Sequence, residues 1–446
     1  MKFSNNDIKL TQNKQLLPNF VNKSFSNNSA TKIINVSNSP VSSILHDTLA
    51  GMNSDDESDA FYVCDLAQVE LQFHRFKKLL PRVIPFFAMK CNPDENVIKT
   101  LINLGAGFDC ASKNELQTIL NLGVSPSSII YANPCKQASH VRYAAKNEVS
   151  LMTFDNADEL HKIKAIFPTA KLVLRILADD SRSLCKFGVK FGASLSDVSM
   201  LLQVAKSLEL DVVGISFHVG SGCYDASAFS DAVLLAKEAF DIGEKLGFNF
   251  ELLDGNFQNL IDKLILLVGG GFPGYGAEGV SFEQIALKLG PVIDACFPPH
   301  VKIIAEPGRY FVSNAFTLAV NICSRRKIKV SDCDATKEFR YYINDGMYGS
   351  FNCITFDHYK PIPKILKAKK NFYYQKNEKL LEELYSSSIW GPTCDSMDVI
   401  ATNYLLPELE IGDWLYFDSM GAYTSAAGSV FNGFMKPRIF YTNTLH

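Results

Sequence analysis

The 446-residue sequence has little excess charge of either sign. Lys and Arg total 44 and Asp and Glu total 47, which leaves a formal net charge of -3. Domains that bind nucleic acid usually carry a basic patch and a high pI, whereas the pI here is about 6.3. The charge balance therefore argues against nucleic acid as a partner.

Long apolar runs and paired cysteines are missing as well. No stretch approaches the roughly 18 apolar residues that a membrane helix needs, and the N-terminal MKFSNNDIKLTQNK lacks the apolar segment of a secretory signal. The eleven cysteines are scattered, without a CxxC pair or a Cys/His spacing typical of zinc. We expect a cytoplasmic protein with no membrane span, no metal site and mostly buried, reduced thiols.

The chain divides by composition into segments. Hydrophobic residues make up 47% of it, enough for a large core. Residues 1–30 are rich in Asn, Ser and Lys, which predicts a disordered tail. Residues 31–60 are predicted to pack with a C-terminal β domain. The polar run at 53–59 within them predicts a surface loop.

Short apolar runs alternate with helical-period segments between residues 61 and 312. Alternation of this kind demands a parallel sheet, and eight units in about 250 residues fit a closed barrel better than an open sheet. We predict an α/β protein: a (β/α)8, TIM-like barrel at 61–312, then a β domain at 313–446, where strand-rich runs follow one another. The eight strand candidates are VIPFFAMK, GFDCAS, SIIYANP, LMTFD, KLVLRIL, DVVGISFHVG, FELLD and VKIIAEPGRYF.

Lys90 ends the first of these strands, in FAMKCN. Barrel enzymes carry their chemistry at the C-terminal ends of the strands, so this amine is placed at the barrel mouth. A desolvated lysine there can form a Schiff base. A solvated surface lysine is the more common case, and position alone leaves both interpretations open.

The GGGFPG string at residues 269–274 formally satisfies the G-x-G-x-x-G dinucleotide pattern. We reject that interpretation because the string lies late in the barrel rather than in a first βαβ unit. Two interpretations are left: a plain glycine-rich turn, or backbone N–H groups of Gly269, Gly270 and Gly271 that cradle one phosphate.

Two further strand ends carry polar groups. Glu306 and Arg309 close strand eight, three residues apart. They form either a local ion pair or a site in which Arg309 binds a phosphate and Glu306 a protonated ring nitrogen of one ligand. His218 and Ser221, after strand six, add a flat ring and a hydroxyl, although a lone histidine is more often structural.

Together these motifs resemble the eukaryotic ornithine decarboxylases, which have the alanine-racemase-like fold of pyridoxal-phosphate enzymes. The resemblance spans about residues 32 to 440. It implies decarboxylation of L-ornithine to putrescine and carbon dioxide, the first step of polyamine biosynthesis. The strings that carry it are AMKCNP, FDCASKNE, IIYANPCKQ, LVLRI, VKFG, SFHVGSGC, GGGFPG, AEPGRY, NDGMYGSFNC, SSSIWGPTCDSMD and MGAYTSAAGSVFNGF.

The resemblance also implies which residues hold pyridoxal 5'-phosphate. Lys90 would carry the cofactor covalently, Glu306 would keep its ring nitrogen protonated, and His218 would stack on the ring. Asp109 and Arg175 match further positions near the cofactor. The phosphate would be held by Ser221, Gly269, Gly270, Gly271, Arg309 and Tyr423.

The same resemblance implies a homodimer with shared active sites. Cys394 would reach in from the other subunit and return a proton to the substrate carbon. Asp357 and Asp395 would bracket the distal ammonium of the substrate, since two carboxylates select a cation at fixed reach. Lys190 and Asp398 would pair across the interface, and an antizyme-type regulator is an implied partner.

The sequence departs from the family between FELLD and VGGGFPG. Thirteen residues, 255–267, separate them, and without these residues the two strings read continuously. The insert is rich in residues that AT-rich codons encode, so we hypothesise a retained intron or an error in defining the gene. If the insert is present in the protein, FELLD and KLILLV compete for strand seven. KLILLV would place Leu267 where the family has Asp254, which we expect to weaken cofactor binding.

Other functions are weighed against this one. A non-catalytic homologue of the antizyme-inhibitor kind is disfavoured. Decarboxylation of lysine or arginine stays open. Lysine differs from ornithine by one methylene, which is worth only about 1–3 kcal/mol of discrimination. Diaminopimelate would require a cation near the distal site, and a racemase would require a base where WGPTCD supplies a thiol. The residues that argue against a pseudo-enzyme are Lys90, Asp109, His218, Arg309, Cys394 and Asp395.

Overall fold

The computed structural model describes residues 36–52, 58–248, 264–276, 279–329, 337–375 and 383–445. The predicted tail, residues 1–30, and most of the polar run at 53–59 lie outside them. Up to residue 312, helices and strands alternate as predicted. In chain order they are α1 (Val41–Gly51), β1 (Phe61–Asp65), α2 (Leu66–Leu79), β2 (Val83–Ala88), α3 (Glu95–Asn103), β3 (Gly107–Cys110), α4 (Lys113–Asn121), β4 (Ile129–Tyr131), α5 (Ala138–Lys146), β5 (Leu151–Phe154), α6 (Ala157–Ile166), β6 (Lys171–Arg175), β7 (Ser183–Cys185), α7 (Leu195–Ser207), β8 (Asp211–Phe217), β9 (Ser221–Cys223), α8 (Ser227–Lys245), β10 (Ile265–Val268), α9 (Phe282–Cys296), β11 (Lys302–Ala305) and α10 (Arg309–Val312).

Eight parallel strands close into a barrel in the order β2, β3, β4, β5, β6, β8, β10, β11, which confirms the predicted fold class. Side chains alternate between the lumen and the surrounding helices. The lumen is a packed core, so ligands are confined to its C-terminal rim. The apolar side chains that fill it are Phe86, Ile130, Leu151, Val173, Val213, Ile265, Leu267 and Ile304.

Strand seven of the barrel is formed by the KLILLV segment rather than by FELLD. Ile265–Val268 pairs with β8 on one side and with β11 on the other. Leu267 is 1% exposed and lies in the luminal cluster, at the position that Asp254 would take if the chain ran directly from FELLD into VGGGFPG. The FELLD segment, including Asp254, and residues 255–263 lie outside the described residues.

After residue 312 strands dominate, as predicted for the β domain. They form a nine-stranded sheet with the path β15-β14-β18-β12-β13-β16-β17, to which β1 is added beside β12 and β19 beside β1. The elements are β12 (Phe316–Lys329), β13 (Lys337–Ile343), α11 (Cys353–Phe356), β14 (Lys364–Ala368), β15 (Asn371–Phe372), β16 (Tyr385–Trp390), β17 (Val399–Leu406), β18 (Trp414–Phe417) and β19 (Arg438–Thr442).

The first strand belongs to this sheet, which corrects the predicted barrel boundary at residue 61. β1 pairs antiparallel with β12 and parallel with β19. Its apolar sequence suits any fully buried strand, so the pattern did not reveal the partner. Helix α1 packs Leu45 and Leu49 against Phe61 and Trp414 of the same sheet. The barrel itself begins at β2.

Some classes of site are absent from the described part of the chain. None of its helices is long and apolar enough to cross a membrane. Its His, Cys, Asp and Glu side chains form no group of three that could hold a metal ion. Its ten cysteines are free thiols. Five of them are buried: Cys64, Cys91, Cys110, Cys223 and Cys353.

Candidate active site

Lys90 lies in a short 3-10 turn, Met89–Cys91, that continues β2. The neighbouring β3 brings Asp109 to the same rim, and Lys90 Nζ is 2.5 Å from Asp109 Oδ2. Asp109 is 1% exposed. Burial acts to lower the pKa of Lys90, but the carboxylates of Asp109 and Glu306 outweigh it and raise the pKa above its usual range. The amine is therefore held protonated beside a buried counter-ion.

Glu306 is the buried acid at the end of β11. Its backbone N–H donates to the carbonyl oxygens of Val268 and Gly269, at 3.2 and 3.1 Å. The side chain is 7% exposed, and Oε1 has no hydrogen-bond partner among the described residues. Burial, aided by the charge of Asp109, raises the pKa of Glu306 to about 8. An unpaired buried acceptor is costly, so this carboxyl suits a donor that arrives with a ligand.

His218 follows β8, and its side chain lies beside Gly269 and Gly270. The backbone N–H of Gly220 donates to Nδ1 at 2.9 Å, which leaves the proton of the neutral ring on Nε2. Burial, followed by the charges of Arg175 and Lys90, lowers the pKa of His218 well below its usual value. The edge of the ring meets Phe187, with centroids 4.9 Å apart. A neutral, fixed ring of this kind can stack on an aromatic ligand.

Close contacts require glycine at the start of the GGGFPG loop. A Cβ at Gly269 would lie 2.6 Å from a carbonyl oxygen of β8, and one at Gly270 would lie 2.9 Å from the carbonyl oxygen of Glu306. Gly271 has a φ of 96°, a conformation that favours glycine. The run thus presents bare backbone beside His218, which suits a phosphate group.

Arg309 begins α10 and lies among three polar side chains. Its Nη2 is 3.3 Å from Ser221 Oγ and 2.5 Å from Asp357 Oδ1. Its guanidinium carbon is 5.2 Å from the ring centroid of Tyr423, whose backbone N–H donates to the carbonyl oxygen of Cys91 at 3.0 Å. A cation and two hydroxyls thus converge, and a phosphate can accept hydrogen bonds from all three.

One pocket gathers most of the residues that the sequence assigns to the cofactor. Asp109 lies beside it, bonded to Lys90. Arg175, at the end of β6, places its guanidinium over the ring of Phe191 and does not line the pocket. The predicted residues that line it are Lys90, His218, Ser221, Gly270, Gly271, Glu306, Arg309 and Tyr423.

Cys394 and Asp395 do not line this pocket. They lie in the loop after β16, where Cys394 is exposed and its N–H donates to Asn432 Oδ1 at 3.1 Å. The hydroxyl of Tyr348 donates to Asp395, which lowers the pKa of that carboxyl. Of the two acids predicted to bracket the substrate ammonium, only Asp357 is near the pocket, bound to Arg309.

The predicted Lys190–Asp398 pair would join two subunits, so it stays a prediction, and within its own chain Asp398 has other partners. Asp398 is 1% exposed. One carboxylate oxygen accepts from Met347 N at 2.6 Å, and the other accepts from Thr393 N and Oγ1 at 3.1 and 2.6 Å. Asp398 therefore holds the loop of Cys394 in place within its own chain, a role that the CDSMD string does not reveal.

Two supporting residues were missed in the sequence. Asn92 is 3% exposed, and its Nδ2 donates to the carbonyl oxygen of Gly421 at 2.8 Å. It thereby joins the turn after Lys90 to the loop that carries Tyr423. Phe187 lines the pocket beside His218. The signal for Asn92 was its place in the KCN string, whereas no local pattern marks Phe187.

Residues 66–313 match the family described as pyridoxal-dependent decarboxylase, pyridoxal binding domain. The chain is 52% identical over 389 residues to the ornithine decarboxylase of Schizosaccharomyces pombe, covering 87% of this chain and 84% of that protein. It is 46% identical over 405 residues to antizyme inhibitor 2 of Xenopus laevis, with coverage of 89% and 84%. The crystal structure of the Paramecium bursaria Chlorella virus arginine decarboxylase is similar, with a TM-score of 0.79 and 35% identity, covering 90% of this chain and all of that one.

Proposed function

The chain belongs to the family of pyridoxal-dependent decarboxylases, and from this membership we propose that it converts L-ornithine to putrescine and carbon dioxide with pyridoxal 5'-phosphate. The observation that carries the proposal is the state of Glu306. Its Oε1 is buried and unpaired within the described residues, in the pocket of Lys90 and His218. A carboxyl with a pKa of about 8 is a suitable partner for a ring nitrogen that brings a proton.

The pocket fits both ends of this cofactor. Arg309, Ser221 and Tyr423 would hold the phosphate, together with the glycine run. Lys90 would carry the cofactor covalently, and His218 would cover one ring face. When bound, the cofactor supplies a conjugated ring that accepts the electron pair left behind by carbon dioxide.

The residues of the chain supply proton control and orientation. Asp109, at 2.5 Å from Lys90 Nζ, neutralises the charge of the amine and holds it at the rim of the pocket. Glu306 would hold the proton of the ring nitrogen. His218 adds a flat surface without adding charge, because its pKa is low. The packed lumen below excludes water from that side of the site.

The proposal includes a homodimer with shared active sites. The exposed Cys394 lies in the same surface region as several exposed apolar side chains, and such patches are typical of surfaces that a partner covers. A second copy docked there would bring the Cys394 thiol to the substrate carbon and Asp395 to the distal ammonium. The apolar side chains are Met397, Val430, Phe431, Phe434 and Met435.

Mixing two inactive variants tests the shared site. Lys90→Ala and Cys394→Ala damage different halves of it, so a mixed dimer keeps one intact site. With random subunit exchange, activity should return to about a quarter of the wild-type value, because half the dimers are mixed. Exchange shown by mass spectrometry without any recovery of activity would contradict the shared site.

Carbon dioxide release tests the reaction itself. Purified protein with added pyridoxal phosphate is compared on L-ornithine, L-lysine and L-arginine at equal concentrations, with Lys90→Ala as the blank. We expect ornithine to be fastest. Release only from lysine or arginine would show that ornithine is not the substrate, and it would leave the assignment to the decarboxylase family unchanged.

No release from any substrate would favour the alternative function, a regulatory homologue. The 46% identity to antizyme inhibitor 2 supports keeping this alternative. The same assay on a variant without residues 255–267 separates an enzyme damaged by the insert from a regulator, because only the former recovers. Both the decarboxylase and the regulatory homologue would bind an antizyme-type partner. Calorimetric titration with purified antizyme tests whether the chain binds one.

A further inference from the structure

Asp357 and Arg309 neutralise each other at the edge of the pocket. Arg309 Nη2 is 2.5 Å from Asp357 Oδ1, and the two side chains are 19% and 7% exposed. Asp357 ends the short helix α11, where its N–H donates to the carbonyl oxygen of Cys353 at 3.1 Å. Its Oδ2 is buried and has no partner among the described residues. With so little water at either group, each charge depends on the other.

The proposed function assigns these two residues to different ligands. Arg309 is to bind the phosphate of the cofactor, with Ser221, whereas Asp357 is to bind the ammonium of the substrate. The same nitrogen, Arg309 Nη2, is within hydrogen-bond distance of both Ser221 Oγ and Asp357 Oδ1. A phosphate that bridges Ser221 and Arg309 therefore meets the carboxylate of Asp357, and two anions at one buried guanidinium repel each other.

We propose that Asp357 is an internal stand-in for the phosphate. In the cofactor-free protein its carboxylate neutralises Arg309; the arriving phosphate takes over that guanidinium and releases Asp357 to bind the substrate ammonium. A phosphate carries more negative charge than a carboxylate and offers more acceptor oxygens, so Arg309 favours the exchange. The inference rests on the proposed function, and it makes the substrate site complete only after the cofactor is bound.

Asp357→Asn tests the competition, because the amide keeps the shape of the side chain and removes its charge. Cofactor-free protein is titrated with pyridoxal phosphate and followed by absorbance. We expect the variant to bind at least about tenfold more tightly than wild type, the size of one charge-assisted hydrogen bond. Pyridoxal, which lacks the phosphate, should bind equally to both proteins.

Asp395→Asn is the matched control. It makes the same substitution at the other acid assigned to the ammonium, which bonds to Tyr348 rather than to Arg309. We expect it to leave the affinity for pyridoxal phosphate unchanged. The proposal is wrong if Asp357→Asn binds pyridoxal phosphate no more tightly than wild type, or if pyridoxal gains equally.

A second measurement needs no variant that lacks the ion pair. By reciprocal linkage, inorganic phosphate should tighten the binding of putrescine to cofactor-free wild type several-fold relative to chloride at equal ionic strength. Equal putrescine affinity in the two salts would overturn the proposal even if Asp357→Asn failed to fold. These measurements are of binding alone, so they remain decisive if no substrate is decarboxylated.

Discussion

Truncation of Leu267 tests which segment forms strand seven of the barrel. The side chain is 1% exposed and packs in the lumen with Ile265 and Ile304. Leu267→Ala removes three carbon atoms, which at about 0.8 kcal/mol per buried carbon predicts a loss of about 2.4 kcal/mol. The cavity left behind adds to this, so we expect the free energy of unfolding to fall by about 2–5 kcal/mol.

Urea unfolding followed by far-UV circular dichroism measures this loss. All proteins are compared at one concentration, because subunit association makes the midpoint concentration-dependent. Leu253→Ala, in the competing FELLD segment, removes the same atoms and is the matched control. Since β10 forms strand seven, we expect Leu267→Ala to cost more stability than Leu253→Ala. A larger loss for Leu253→Ala than for Leu267→Ala would refute the assignment.

Three other predictions follow from the site. Borohydride reduction of cofactor-loaded wild type should add the cofactor mass at Lys90, and Lys90→Ala should show no labelled peptide by mass spectrometry; labelling elsewhere would contradict the assignment. Between the usual carboxyl pKa of about 4.3 and the raised pKa of about 8 for Glu306, the folded protein keeps a proton that the unfolded chain has lost. Stability of the cofactor-free protein should therefore fall as pH rises through this window, and Glu306→Gln should reduce the fall; an unchanged slope in thermal unfolding would contradict it. Removal of residues 255–267 should tighten the binding of pyridoxal phosphate in an absorbance titration, since Asp254 would replace Leu267; equal affinity would contradict this.

The barrel and much of the candidate site followed from local patterns. Apolar runs that alternate with helical segments require a parallel sheet, and seven strands fall where the pattern placed them. Lys90, His218 and Glu306 each lie within two residues of the end of a strand. Parallel strands end at one rim, so residues far apart in the chain converge there without any knowledge of their contacts.

Strand seven could not be chosen from the sequence. FELLD ends in an acid and KLILLV is the more apolar, but either has the length of a barrel strand. The choice depends on hydrogen bonding to β8 and β11 at once, a condition that only the closed ring imposes. The sheet to which β1 belongs could not be predicted from the sequence either, because its partners β12 and β19 lie more than two hundred residues away.

The sequence by itself determined the fold class, the rim that carries the chemistry and the residue types placed there. Tertiary structure alone decided which charges pair. Arg309 pairs with Asp357, 48 residues on, and Asp398 turns inward to Met347 and Thr393. Local periodicity reports which face of an element is buried, whereas the partner of a buried charge depends on which distant loops are brought within hydrogen-bond distance.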